Sequence, residues 1–111
     1  MQKQKRKDRT EATKEADKFT NTSRWRSLKI DIKRRDRGVC RLCFNRGYVE
    51  YKCLQVHHIY KRATHPELAY EPSNLVTVCK KCHEELEEKL VSKQCELLKI
   101  DMPKEQINYL L

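Results

Sequence analysis

A chain of 111 residues with 38% hydrophobic and 37% charged side chains has room for one domain and too little apolar material for a self-sufficient core, so a staple is expected. Two glycines and three prolines argue against a turn-rich sandwich or barrel, and no apolar stretch is long enough to cross a bilayer. The formal charge of +9 makes polyanions the natural partners but carries no sequence preference.

In chain order, residues 1–20 are lysine-rich, polar and without apolar periodicity, which suits a basic flexible tail. The opening "MQKQKRKDRT" lacks the apolar run of a secretory signal, so a reducing cytoplasm is expected, and six cysteines there point to metal rather than disulfides. A main domain is expected over 21–100. It opens with a helix capped by Ser23 and running to about Asp36, with Trp25, Leu28 and Ile32 on one face and Gly38 ending it. The other face carries Arg24, Arg26, Lys29, Lys33, Arg34 and Arg35, a stripe that suits a phosphate backbone and equally suits solvent.

Residues 44–53 read as a turn and an extended run, and "LQVHHI" as a strand. "YKRATHPELAYEPSN" is a loop, and "LVTVC" a second short strand. The spacing then predicts one helix from His83 to about Ile100, with Leu86, Leu90 and Leu97 on one face and Val91 and Leu98 beside them. Residues 101–111 restart after Pro103 as a short helix or tail with Ile107, Leu110 and Leu111 to bury.

Two C-x-x-C pairs, "CRLC" (Cys40, Cys43) and "CKKC" (Cys79, Cys82), can each hold two corners of a tetrahedral zinc site. Zinc bound this way contributes on the order of 10–16 kcal/mol in small domains, enough to serve as the staple. With four thiolates and one zinc the formal charge falls to roughly +7, still strongly basic. Cys53 and Cys95 have no such partner and are expected to be small buried side chains.

His57, His58 and His83 remain, with Asn74 between them. "VHHI", "SNLVTVC" and "CKKCH", framed by "CRLC", together resemble the HNH endonuclease family in its zinc-bearing, phage-type branch, over about residues 25–88. The resemblance implies a small α+β, metal-stapled domain: a ββα-metal core, a four-cysteine zinc site and flanking helices. It implies cleavage of DNA phosphodiesters, with His58 as general base and Asn74 ordering the loop that positions it. His57 and His83 would hold a catalytic divalent ion, Mg²⁺ or Mn²⁺, with Zn²⁺ or Ni²⁺ as alternatives. Double-stranded DNA is the implied substrate, and a packaging partner such as a terminase fits a phage setting.

Two features depart from a simple match. Neighbours on a regular strand point to opposite faces, so His57 and His58 share a site only at a strand end, twist or bulge. Position 87, where many family members carry another histidine, holds Glu87, evenly balanced between ligand and surface charge. Glu84, Glu85 and Glu88 read as favourable charge at a helix N-terminus. Lys61 and Arg62 follow the histidine pair and, with Arg34 and Arg35, are candidate DNA contacts. His65 is expected to be exposed, and Trp25 to be core. A four-cysteine zinc module that binds nucleic acid without cutting it is the alternative; it leaves the three histidines and Asn74 without a role.

Overall fold

The structure is a computed structural model that describes Phe19 and residues 22–103. The remainder of the basic tail and the expected C-terminal helix with Ile107, Leu110 and Leu111 lie outside the described residues.

Helix α1 spans Ser23–Arg35. Its cap is Thr22 rather than Ser23: Thr22 takes the extended backbone of a cap, and its Oγ1 accepts from the Trp25 N–H at 3.1 Å. Ser23, one residue later, is already helical. At the other end the Arg37 N–H donates to Arg34 O (3.0 Å) and the Gly38 N–H to Lys33 O (2.8 Å). This is a Schellman closure, and its left-handed turn begins one residue before the expected Gly38, at Arg37 (φ 63°). Trp25 and Ile32 face inward as expected and bury against Leu75, with Leu28, Val56, Tyr70 and Phe19 around them.

The short helix α2, Arg41–Asn45, was not legible in the sequence. Its cap is a thiol: Cys40 Sγ accepts from the Cys43 N–H at 3.4 Å. Strands β1 (Leu54–His58) and β2 (Leu75–Cys79) pair antiparallel, with Leu54 opposite Cys79 and His58 opposite Leu75. The loop between them holds two 3-10 turns, Pro66–Leu68 and Pro72–Asn74.

One helix was expected from His83 to about Ile100, and there are two. α3 spans Lys80–Glu87 and α4 spans Val91–Leu98. The first begins three residues before His83, with Cys79 as its cap residue, so Glu84 and Glu85 lie beyond its first turn and are not N-terminal charges. Glu85 instead pairs with Arg46 through both carboxylate oxygens, tying the loop after α2 to α3. The chain then breaks at 88–90. Leu90, expected to be buried, takes an extended conformation and is 78% exposed. A second core of Leu42, Ile59, Val76, Val78, Leu86, Cys95 and Leu98 lies between α2, the sheet and the last two helices. Cys95 is buried as expected; Cys53 is exposed, with φ 55°.

Arg35, expected at the phosphate backbone, is committed to the fold. Its guanidinium forks onto Asp36 (2.9 and 3.0 Å) and donates to Pro72 O (2.9 Å) and Leu75 O (2.7 Å). Asp36, itself buried, accepts from the Thr77 N–H at 2.9 Å, because among the described residues no further strand pairs with the outer edge of β2 to satisfy that donor. Asp36→Ala should therefore destabilise the domain by about 1–3 kcal/mol, the cost of a buried unsatisfied N–H, measured by urea denaturation. Unchanged stability would show that water replaces the carboxylate there.

Candidate active site

Both pairs of knuckle cysteines converge. Cys40, Cys43, Cys79 and Cys82 are all buried, with Cys43 Sγ 3.9 Å from Cys79 Sγ and 3.7 Å from Cys82 Sγ. A disulfide would need about 2.05 Å, whereas a tetrahedron of thiolates about 2.3 Å from zinc has edges of about 3.8 Å. Burial pushes the Cys43 and Cys82 thiols above their ordinary range. On Cys79 burial acts the same way but is outweighed by hydrogen bonds from the Cys82 backbone and the neighbouring thiols, and its thiol is lowered. Four such groups ionise together only around a cation.

A second convergence lies between β1 and α3. Donor atoms of His57, His83 and Glu87 all fall within 4.8 Å of one another. Glu87 Oε2 is 3.2 Å from His83 Nε2 and 3.6 Å from His57 Nδ1. Donors about 2.1 Å from one ion stand roughly 3–3.5 Å apart; the His83–Glu87 separation falls in that range and the His57–Glu87 separation just above it. His83 and Glu87 are one helical turn apart on α3, which puts both on the face that meets β1. His57 is 1% exposed, its Nε2 is 2.7 Å from Gln94 Oε1, and its Nδ1 has no hydrogen-bond partner. Burial holds the ring below the ordinary histidine range, and a buried lone pair left without a donor suits a cation. Lys61 Nζ approaches Glu87 Oε1 at 3.7 Å from the exposed side.

His58 is not part of that cluster. The strand is regular, so its side chain turns to the opposite face, stacked on Trp25 with ring centroids 5.0 Å apart. Its Nε2 is 3.0 Å from Ala69 O. A carbonyl oxygen can only accept, so Nε2 carries the proton and Nδ1 keeps its lone pair. Burial lowers this histidine to about 4, which leaves it neutral at pH 7. It lines a cleft of about 320 Å³ together with Trp25, Lys29, Lys33, Val56 and Arg62.

Asn74 is fully buried and stitches the loop after β1 to the start of β2. Its Oδ1 accepts from the Tyr60 N–H (2.7 Å), and its Nδ2 donates to Tyr60 O and Leu68 O (both 3.1 Å). Its backbone O accepts from the Ile59 N–H at 2.9 Å. Since Leu68 adjoins Ala69, the same amide steadies the carbonyl that orients His58.

Residues 40–89 match the family model described as HNH endonuclease. They form an HNH-family domain. The fold is similar to the crystal structure of the HNH endonuclease of the deep-sea thermophilic bacteriophage GVE2, determined with a manganese ion. That likeness has a TM-score of 0.60 and 19% identity, and covers 65% of this chain and 77% of the phage protein; at such identity it speaks for the fold. No curated protein matches the sequence. The β1–β2–α3 unit is thus the HNH ββα core, with the four thiols beside it.

Of the expected site residues, the HNH domain brings His57, His83 and Glu87 together, places His58 on the other face of β1, and buries Asn74 in bonds to the loop that carries Ala69. Arg62 lies over the Phe19 ring, 4.1 Å from its centroid, while Arg34 is exposed beside Asp31. His65, expected to be exposed, is half-buried against Tyr60. Sequence reasoning missed Gln94 and did not separate Lys29 and Lys33 from the other basic residues of α1. The signal for Gln94 was present: Val91, Gln94, Cys95 and Leu98 share one helical face, and a polar residue among apolar ones there demands a partner.

Proposed function

We propose that this HNH domain is a metal-dependent endonuclease that hydrolyses phosphodiester bonds of double-stranded DNA. The convergence of His57 Nδ1, His83 Nε2 and the Glu87 carboxylate carries the reading, because a module that only bound DNA would have no use for an orphaned buried lone pair facing a carboxylate. The mixed nitrogen and oxygen donors suit Mn²⁺ or Mg²⁺ and also admit Zn²⁺ or Ni²⁺, while the four thiols suit a structural Zn²⁺. A divalent ion held there would supply positive charge to a phosphate oxygen and to the departing 3′ oxygen.

The chain's own residues supply the rest. His58 is the last residue of β1, and at that strand end one phosphodiester could meet both faces; in this reading His58 accepts the proton of the attacking water at Nδ1 and is kept in that tautomer by Ala69 O. A base near 4 is weak in the free protein, but the negative phosphodiester favours the imidazolium and raises it in the complex. Asn74 holds the loop that places Ala69. Lys29, Lys33 and Arg62, around the cleft that His58 lines, bind backbone phosphates, with Lys61 and Arg34 as outer contacts. Arg35 has no part in this, being occupied by Asp36 and β2.

Supercoiled plasmid incubated with the protein and Mn²⁺ or Mg²⁺ should be converted to nicked or linear forms. Tight, salt-sensitive DNA binding without cleavage under any divalent ion would return the chain to the non-cutting zinc-module reading.

A further inference from the structure

We infer that Gln94 is a positioning residue that fixes the tautomer of His57 and so aims its lone pair into the three-donor cluster; the inference rests on the proposed metal site and deepens it. Gln94 lies on α4, beyond the segment 40–89 that matches the family model, and is 3% exposed. Its Nε2 donates to Lys89 O at 2.9 Å. That bond settles which way the amide points, since the reversed amide would set its oxygen against the carbonyl. Oε1 therefore faces His57 Nε2 at 2.7 Å and can only accept. The neutral His57 ring must then carry its proton on Nε2 and keep Nδ1 bare.

That outcome is costly in isolation. Nδ1 is buried and unpartnered, 3.6 Å from Glu87 Oε2, so two electron-rich atoms face each other. The other tautomer would relieve this by donating from Nδ1 toward Glu87, and Gln94 prevents it. The tension is resolved by a cation, and an outer partner of this kind raises the basicity of the ligand it holds. The break between α3 and α4 is part of the device. The Gln94 N–H makes the ordinary first-turn bond to the cap residue, Leu90 O, while the Lys89 carbonyl, which lies in the break, receives the Gln94 side chain.

Three measurements on the full, zinc-loaded chain test this. First, nitrogen NMR of the wild type without added Mn²⁺ should show the His57 proton on Nε2; finding it on Nδ1 overturns the inference. Second, Gln94→Leu, with its zinc content and fold verified, should bind Mn²⁺ about 10–100-fold more weakly by titration calorimetry; an affinity equal to wild type overturns it. Third, Gln94→Glu keeps an acceptor for His57 and should hold Mn²⁺ within a few-fold of wild type, although losing the bond to Lys89 O; a purely packing role would instead favour the leucine. Should Gln94→Leu fail to fold, the NMR and Gln94→Glu results still decide. If His83→Ala binds Mn²⁺ as wild type does, the metal-site reading fails separately, while the tautomer measurement continues to judge Gln94.

Discussion

His58→Ala should lower the rate of plasmid cleavage by about 10²–10⁴-fold, the range a positioned general base supplies, while zinc content and DNA affinity stay near wild type. The expectation follows from its isolation: His58 touches neither the thiols nor the three-donor cluster, and its Nδ1 lone pair is left available by the bond from Nε2 to Ala69 O. Because the ring also packs on Trp25, His58→Phe is the companion variant, keeping an aromatic stack without a base. Raised Mn²⁺ should rescue neither. His83→Ala should behave differently, recovering part of its activity as Mn²⁺ increases, since a weakened ion site can be refilled and a missing base cannot. Equal nicking by folded His58→Ala and wild type would remove His58 from the mechanism.

Cys79→Ser should leave no folded domain at ordinary temperature. Cys79 ends β2, serves as the cap residue of α3 and belongs to the four-thiol cluster, so its loss strikes the sheet, the helix and the metal site together. Structural zinc contributes on the order of 10–16 kcal/mol in small domains, against a total domain stability of about 5–15 kcal/mol. Circular dichroism and metal analysis check this, with tightly held zinc expected in the wild type. Cys53→Ser, at an exposed position, should be silent, and Cys95→Ser, buried, should cost only modest stability. A folded, zinc-free Cys79→Ser protein would show that packing alone holds the domain.

The fold was legible where the sequence carried a local physical signal. The period-3.6 apolar face of α1, the aliphatic runs of β1 and β2, and the paired C-x-x-C knuckles each dictate their own geometry. Asn74 and the histidines could be singled out because their order resembles the HNH pattern. What escaped depends on tertiary context. α2 is too short to show periodicity and is capped by a thiol within the metal knuckle. The break at 88–90 is invisible to propensity, since "EKL" is good helix sequence; it is set by the way α4 must turn back to place Cys95, Leu98 and Gln94 against the core. Arg35 looked like its neighbours on α1 because nothing in a string of basic residues announces that one of them has backbone carbonyls within reach.

The placement of Cys82 next to His83 on α3 has a counterpart in His57 next to His58 on β1. Neighbours on a helix point about 100° apart and neighbours on a strand about 180° apart, so in both elements the change of role is made by direction rather than distance. A single-residue insertion between Cys82 and His83 would leave the four thiols closed while swinging His83 and Glu87 off the β1 face together. A one-residue slip of β1 would trade the base for the ligand. Apart from the thiols and the site residues themselves, these segments therefore tolerate changes of residue better than changes of length, whereas the part of the loop at 63–67, before the anchored Leu68 and Ala69, is where length can vary. Among natural variants of this domain, insertions and deletions should fall in that loop and spare the run from Cys79 to Glu87.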